Sequence, residues 1–237
     1  ALALAPLAGG ILAQSPATPL PLTPAPAASA ALPVSAAAYQ PGTMHGMVRI
    51  KDKGYFYEPA RWPSPLIPVC WEPGTPMGKE TAWVESAVSS SWQAHSRLTF
   101  LFASTYCSPN AVGVRISVRD ERPDDGPHTV GLGRTISGIA GGMVLNFSFA
   151  NWGQTCAADE ATREACIRSI AVHEFGHAIG FAHEQNRPDT PGECNAPAQG
   201  PDGTLMLTPW DPQSVMNYCN SVYNNNGVLS KGDTVYN

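Results

Sequence analysis

Hydrophobic and polar positions along this chain follow two periods, and the switches between them outline a mixed architecture. Leu66 to Trp71 is a predominantly apolar run that reads as a strand. Lys79 to His95 places Val84, Val88 and Trp92 at i, i+4 and i+8, the stripe of an amphipathic helix. Leu98 to Phe102 is a second apolar strand. Val112, Val114, Ile116 and Val118 alternate with Gly113, Arg115, Ser117 and Arg119, which predicts a half-buried strand. Leu145, Phe147 and Phe149 alternate likewise, before a loop that leads into a second helix. Upstream, Met47 to Ile50 suits a short strand and Tyr55-Phe56-Tyr57 an aromatic anchor. Strand, helix, several strands and then a helix give an α+β or α/β layout around a mixed sheet, and no internal repeat is apparent.

Composition narrows the classes. The 237 residues are 43% hydrophobic with a net charge of −5, enough for one sizeable core. A mildly acidic chain without basic clusters is a poor partner for nucleic acid. Residues 1–40 contain no charged side chain and are dominated by Ala, Pro, Leu and Ser. Ala1 to Ala13 reads as the tail of a signal-peptide hydrophobic region, with a small-residue cleavage site near Leu12-Ala13-Gln14. It is too short and too proline-interrupted for stable membrane insertion. Ser15 to Gln40 reads as a Pro/Ala-rich linker or prosegment. Residues 41–60 suit either a prosegment or an extension of the mature protein, and a clearer domain spans 61–237.

The chemistry concentrates at His173-Glu174-Phe175-Gly176-His177-Ala178-Ile179-Gly180-Phe181-Ala182-His183, which takes three of the six histidines. On a helix, His173 and His177 project from one face a turn apart, where two neutral nitrogens can reach one Zn²⁺ at roughly 2.0–2.1 Å. Glu174 then lies beside the metal, where a carboxylate can take a proton from a zinc-bound water. Gly180 can adopt the left-handed conformation that ends a helix, so His183 can return as a third ligand. A histidine-rich helix satisfied in the core would need all five residues to coincide by accident.

A second motif, Ser214-Val215-Met216-Asn217-Tyr218, follows downstream. Together, the extended zinc motif and this one resemble the metzincin metallopeptidases, and their wording is similar to the astacin branch. Gly180, Phe181, His183, Glu184, Arg187 and Asp189 match the first astacin signature; Ser214, Met216 and Tyr218 match the second. The resemblance is sharp over Ala171 to Asp189 and Ser214 to Tyr218. It implies a metzincin-type fold with a mixed, mostly parallel twisted sheet, two long helices, and an active-site cleft between an N-terminal subdomain (61–183) and a small C-terminal one (184–237). By resemblance, Met216 forms the floor of a Met-turn beneath the zinc. Tyr218 binds the metal and then swings to hydrogen-bond the developing oxyanion. The family's glutamate matching Glu184 contacts the processed N-terminus. Asn217 stands where astacins usually carry histidine, and the latency motif F-x-G-D is absent, so the chain reads as a divergent, microbial relative.

Six cysteines with no C-x-x-C pair point to three disulfides in an oxidising compartment, hence a secreted protein. Fifteen pairings are allowed; proximity in sequence favours Cys70 with Cys107, Cys156 with Cys166 and Cys194 with Cys219. Thr129 to Arg134 sits where the family places an edge strand above the cleft, able to bind an extended peptide, though a Gly-rich loop suits it equally. Asp120 to Gly126 offers oxygen ligands for Ca²⁺ or forms a solvated turn. Asn146-Phe147-Ser148 is a formal glycosylation sequon placed inside a predicted strand. Should 41–60 be a prosegment, His45, Asp52 and Glu58 are the side chains available to cap zinc. Ser230 to Asp233 reads as a helix N-cap, and since metzincins commonly close with a C-terminal helix, the chain reads as cut short or processed. The overall expectation is a monomeric, secreted zinc endopeptidase acting on protein or peptide, with Glu174 as base. The alternatives are another metzincin branch or a zinc-containing binding module without catalysis.

Overall fold

The computed structural model describes residues 54–124 and 126–234. The readings for the leader, the linker, the strand at Met47 to Ile50, and His45 and Asp52 lie outside the described residues. The elements run β1 (Tyr55–Phe56), β2 (Leu66–Trp71), α1 (Lys79–Val88), β3 (Thr99–Phe102), β4 (Val114–Val118), β5 (His128–Thr129), β6 (Met143–Leu145), α2 (Glu160–Ile179) and β7 (Leu205–Met206). Five strands form one sheet in the order β3-β2-β4-β6-β5. All neighbours are parallel except β5, which closes one edge antiparallel to β6. The residue pattern suggests a mixed sheet, and the metzincin resemblance implies a mostly parallel one; the strand order has both properties.

Register places the core. Ile67 pairs with Phe100, Val69 with Val114 and Ile116 with Met143, and all six belong to one buried cluster with α1 and α2. The α1 stripe behaves as its period predicts: Val84, Val88 and Trp92 are all buried. Its last turn loosens to a π-helix at Ser89–Gln93, where Ser90 and Ser91 hydroxyls donate to the carbonyls of Ser86 and Ala87. Such back-bonding competes with the helical ladder. Trp92 reaches across to α2, donating from Nε1 to the carbonyl of Val172 at 2.8 Å and stacking on Phe181.

Some expectations change on folding. In β4, Val114 and Ile116 face the core, but Val112 lies before the strand and is exposed. Arg115, on the supposedly polar face, is buried in a two-pronged ion pair with Glu72 at 2.8 and 3.1 Å. Strand β6 ends at Leu145 because the Asn146 side chain accepts the amides of Ser148 and Phe149, forming a turn. Phe147 and Phe149 are still buried, so the alternation marked burial rather than strand. Asn146 is itself buried, so the formal sequon offers no exposed side chain for glycosylation. The edge strand is shorter and earlier than Thr129 to Arg134, extended at His128–Thr129 and giving way to a 3₁₀ turn at Gly133–Ile136.

The three disulfides are Cys70–Cys107, Cys156–Cys166 and Cys194–Cys219. Packing extends upstream of residue 61. β1 pairs with β7, Phe56 meets Phe181 edge-on, and Tyr55 O and Tyr57 N bond the backbone of Ala182 and Gly180. Residues 55–57 therefore brace the chain where it leaves α2. Trp92→Ala, which empties the site behind that helix, should lower stability by about 3–5 kcal/mol in equilibrium denaturation; a loss under about 1 kcal/mol would mean that Trp92 does not hold α2 in place.

Candidate metal centre

Helix α2 carries the site and is bounded at both ends by side-chain and backbone chemistry. Asp159 caps its start, accepting the amide of Thr162 at 2.8 Å. At its end Gly180 has φ 118°, with its amide on the carbonyl of His177 and that of Phe181 on Gly176. That is a Schellman stop, and a Cβ on Gly180 would lie 2.3 Å from the Phe56 ring. Beyond the stop the chain reverses and brings His183 back towards His173 and His177.

The three imidazoles converge. Nε2 of His183 lies 3.2 Å from Nε2 of His173 and 3.2 Å from Nε2 of His177. Each Nδ1 faces a backbone carbonyl: Val215 at 2.7 Å for His173, Phe181 at 2.8 Å for His177 and Gln199 at 2.8 Å for His183. A carbonyl only accepts, so each Nδ1 carries the ring's proton and each Nε2 presents a bare lone pair. Burial pushes His173 down to about 3 and also lowers His177 and His183, which keeps the rings neutral. Three lone pairs aimed at one point repel unless a cation lies between them. Tetrahedral ligands at 2.0–2.1 Å stand about 3.3 Å apart, so the donor set fits zinc. Among the described residues this is the one group of three or more His, Cys, Asp or Glu side chains with metal-holding spacing.

Around the histidines the other motif residues assemble. Glu174 is buried, its Oε2 has no hydrogen-bond partner among the described residues, and burial pushes its carboxyl up to about 8. The Tyr218 ring stacks on His173, its hydroxyl 3.4 Å from Nε2 of that histidine. Met216 packs its sulfur against Gly176, where an added Cβ would sit 2.4 Å from it, so no larger residue fits there between His173 and His177. A cleft of about 160 Å³ opens over Glu174, His177, His183 and Tyr218, lined also by β5 and by Gln199 to Pro201.

Other candidates take different places. Glu184 is buried against Arg187, 3.2 Å away, and accepts the amide of Asp211; burial lifts its carboxyl to about 7. Arg187 pairs in two-pronged fashion with Asp189. Cys219, next to Tyr218, ties this wall to Cys194. Glu58 is exposed and does not line the cleft. The calcium reading finds no support: the Asp120 carboxylate accepts the Ser148 hydroxyl and the amides of Ala150, Asn151 and Trp152 instead. Sequence reasoning missed the three carbonyls that orient the histidines, because a main-chain acceptor leaves no trace in residue type. It also passed over Gly176, for which a glycine inside a helix was the available signal.

Two outcomes follow from this geometry. Gly180→Ala should cost about 1–3 kcal/mol and weaken zinc retention in chelator competition, through strain at φ 118° and the clash with Phe56; unchanged retention would show that His183 does not need this stop. In metal-free protein, Glu174 holds a proton over the window from its ordinary 4.5 to about 8, which the unfolded chain releases. Wild type should therefore lose stability relative to Glu174→Gln as pH rises through that window. Parallel Tm profiles for the two proteins would contradict the buried, raised carboxyl.

Comparison with known proteins agrees with this geometry. The Astacin peptidase-family model matches residues 159–193, the whole of α2 and the return to His183 and beyond. No curated protein sequence matches the chain. Among solved structures, myroilysin superposes with a TM-score of 0.54 at 22% identity, covering 76% of this chain and 95% of that one. A hatching enzyme zinc-protease of the medaka fish Oryzias latipes gives a TM-score of 0.47 at 19% identity, covering 81% and 95%, a likeness too distant to weigh. Over residues 159–193 the chain is therefore similar to the Astacin peptidase family, and its fold is similar to that of myroilysin.

Proposed function

We propose that the protein is a secreted zinc endopeptidase in which Glu174 is the general base. The observation that carries this reading is the convergence of three neutral, proton-free Nε2 atoms beside an unpartnered buried carboxylate oxygen at the floor of a cleft. Zinc held by His173, His177 and His183 would supply a Lewis acid for the scissile carbonyl and lower the pKa of the attacking water.

The chain's own residues do the rest. Glu174 takes the proton of the attacking water at its free Oε2 and returns it to the leaving amine. Burial alone raises the Glu174 carboxyl, and a cation held by the three histidines would favour the carboxylate form that a base requires. Tyr218 keeps its phenolic proton, because burial pushes its pKa well above the ordinary value. It can therefore donate a hydrogen bond to the oxyanion as charge develops. Met216 supports the histidine pair from below, filling the space that Gly176 leaves. An extended peptide adds antiparallel or parallel to the open edge at β5, and its backbone hydrogen bonds set the scissile bond across the site. Three disulfides fit an oxidising compartment. Among the described residues no helix is long and apolar enough to cross a membrane.

Denatured casein, incubated with wild type and with Glu174→Ala, with and without 1,10-phenanthroline, tests the assignment. Wild type alone should cleave, and only without chelator. Tyr218→Phe should lower kcat by about 10²–10³-fold if the phenol stabilises the oxyanion. Unchanged turnover would remove Tyr218 from the mechanism. Zinc bound without cleavage by any form of the protein, even after removal of residues 1–53, would replace the peptidase with a zinc-containing binding module.

A further inference from the structure

Asp233 lies outside the cleft and in neither motif, yet its buried carboxylate is fully engaged. Oδ2 accepts the amides of Val215 at 3.0 Å and Ser230 at 2.8 Å. Oδ1 accepts the hydroxyl of Ser214 at 2.7 Å. The Ser214 oxygen in turn accepts the amide of Met216 at 3.0 Å, and that amide belongs to the same peptide unit as the Val215 carbonyl. This carbonyl accepts the Nδ1 proton of His173 at 2.7 Å. An unbroken hydrogen-bond chain therefore runs from the Asp233 carboxylate through a hydroxyl and a peptide to a metal-site imidazole.

We propose that Asp233 is a positioning residue for the metal centre, which orients His173 and strengthens it as a ligand through Ser214 and the Val215–Met216 peptide. Metal-binding histidines commonly hand their second N–H to a carboxylate or carbonyl, which fixes ring orientation and raises basicity. Here both partners act in series, and each bond polarises the next in a low-dielectric interior. Direct contact is replaced by a relay because the 214–218 turn lies between α2 and the chain's last described turn. Asp233 also completes a capping box with Ser230, whose hydroxyl accepts the Asp233 amide at 3.0 Å. That second role allows the two functions to be separated. Ser230→Ala breaks the box and leaves the relay; Ser214→Ala breaks the relay and leaves the box.

The inference rests on the zinc reading. Zinc affinity of the full chain, measured by competition with a chromophoric chelator, tests both. Asp233→Asn and Ser214→Ala should each weaken zinc binding by about 10- to 100-fold and shift the His173 Nδ1–H resonance of the zinc-loaded protein upfield. Ser230→Ala should change affinity by no more than about twofold, whatever its Tm. The double variant Ser214→Ala/Asp233→Asn should bind no more weakly than the weaker single variant, because both lie on one chain of bonds. Zinc affinity in Asp233→Asn or Ser214→Ala equal to wild type, an equal loss in Ser230→Ala, or additive losses in the double variant would each overturn the relay. Should Asp233→Asn not fold, Ser214→Ala alone decides between these outcomes. A wild type that binds no zinc would sink the underlying reading instead.

Discussion

Three imidazole lone pairs facing one point inside a protein form an arrangement that the protein cannot satisfy by itself. Each Nε2 is an acceptor, no proton remains for them to share, and burial keeps the rings from acquiring one. A cation held between them resolves that geometry, and the rest of the fold serves to impose it. The carbonyls that hold the rings come from Phe181, directly after α2, from Gln199, and from Val215. These three stretches are brought together by the Gly180 stop, by the Cys194–Cys219 disulfide and by the polar network linking Glu184, Asp211, Ser214, Ser230 and Asp233. The sheet and α1 pack behind α2 in one buried cluster and hold it in place.

The same burial that keeps the histidines neutral also works against Glu174. With no hydrogen-bond partner for Oε2, its charged form is disfavoured until an opposite charge arrives. A divalent ion held by the three histidines would reverse that balance, so a metal and the Glu174 carboxylate would be coupled by electrostatics. Glu184 shows the contrast. It is equally buried and its carboxyl is also raised, but Arg187 and the Asp211 amide engage its oxygens, so that it ties the third histidine to the 211–218 segment. Two glutamates ten residues apart in sequence thus sit in different environments set by their neighbours.

Much of this was legible in the residues. Period-two and period-3.6 patterns located β2, α1 and β4 within a few residues, and the spacing of His173, His177, Gly180 and His183 located the site. The departures have physical causes. Phe147 and Phe149 alternate as a strand would, yet the Asn146 side chain captures the amides that pairing needs. Arg115 looked like a surface residue because its partner, Glu72, is distant in sequence. The orienting carbonyls could not be read at all, since every residue owns one. Ser230 and Asp233 read as a helix cap in sequence; among the described residues they exchange capping-box hydrogen bonds around a turn rather than a helix, and that the same carboxylate reaches the 214–218 turn depends on tertiary contact.

Zinc K-edge X-ray absorption on the purified, zinc-loaded protein tests the central claim most directly. The account predicts a first shell of nitrogen and oxygen at about 2.0–2.1 Å with the outer-shell scattering of three imidazoles. A sulfur shell near 2.3 Å, or imidazole scattering from fewer than three histidines, would contradict it.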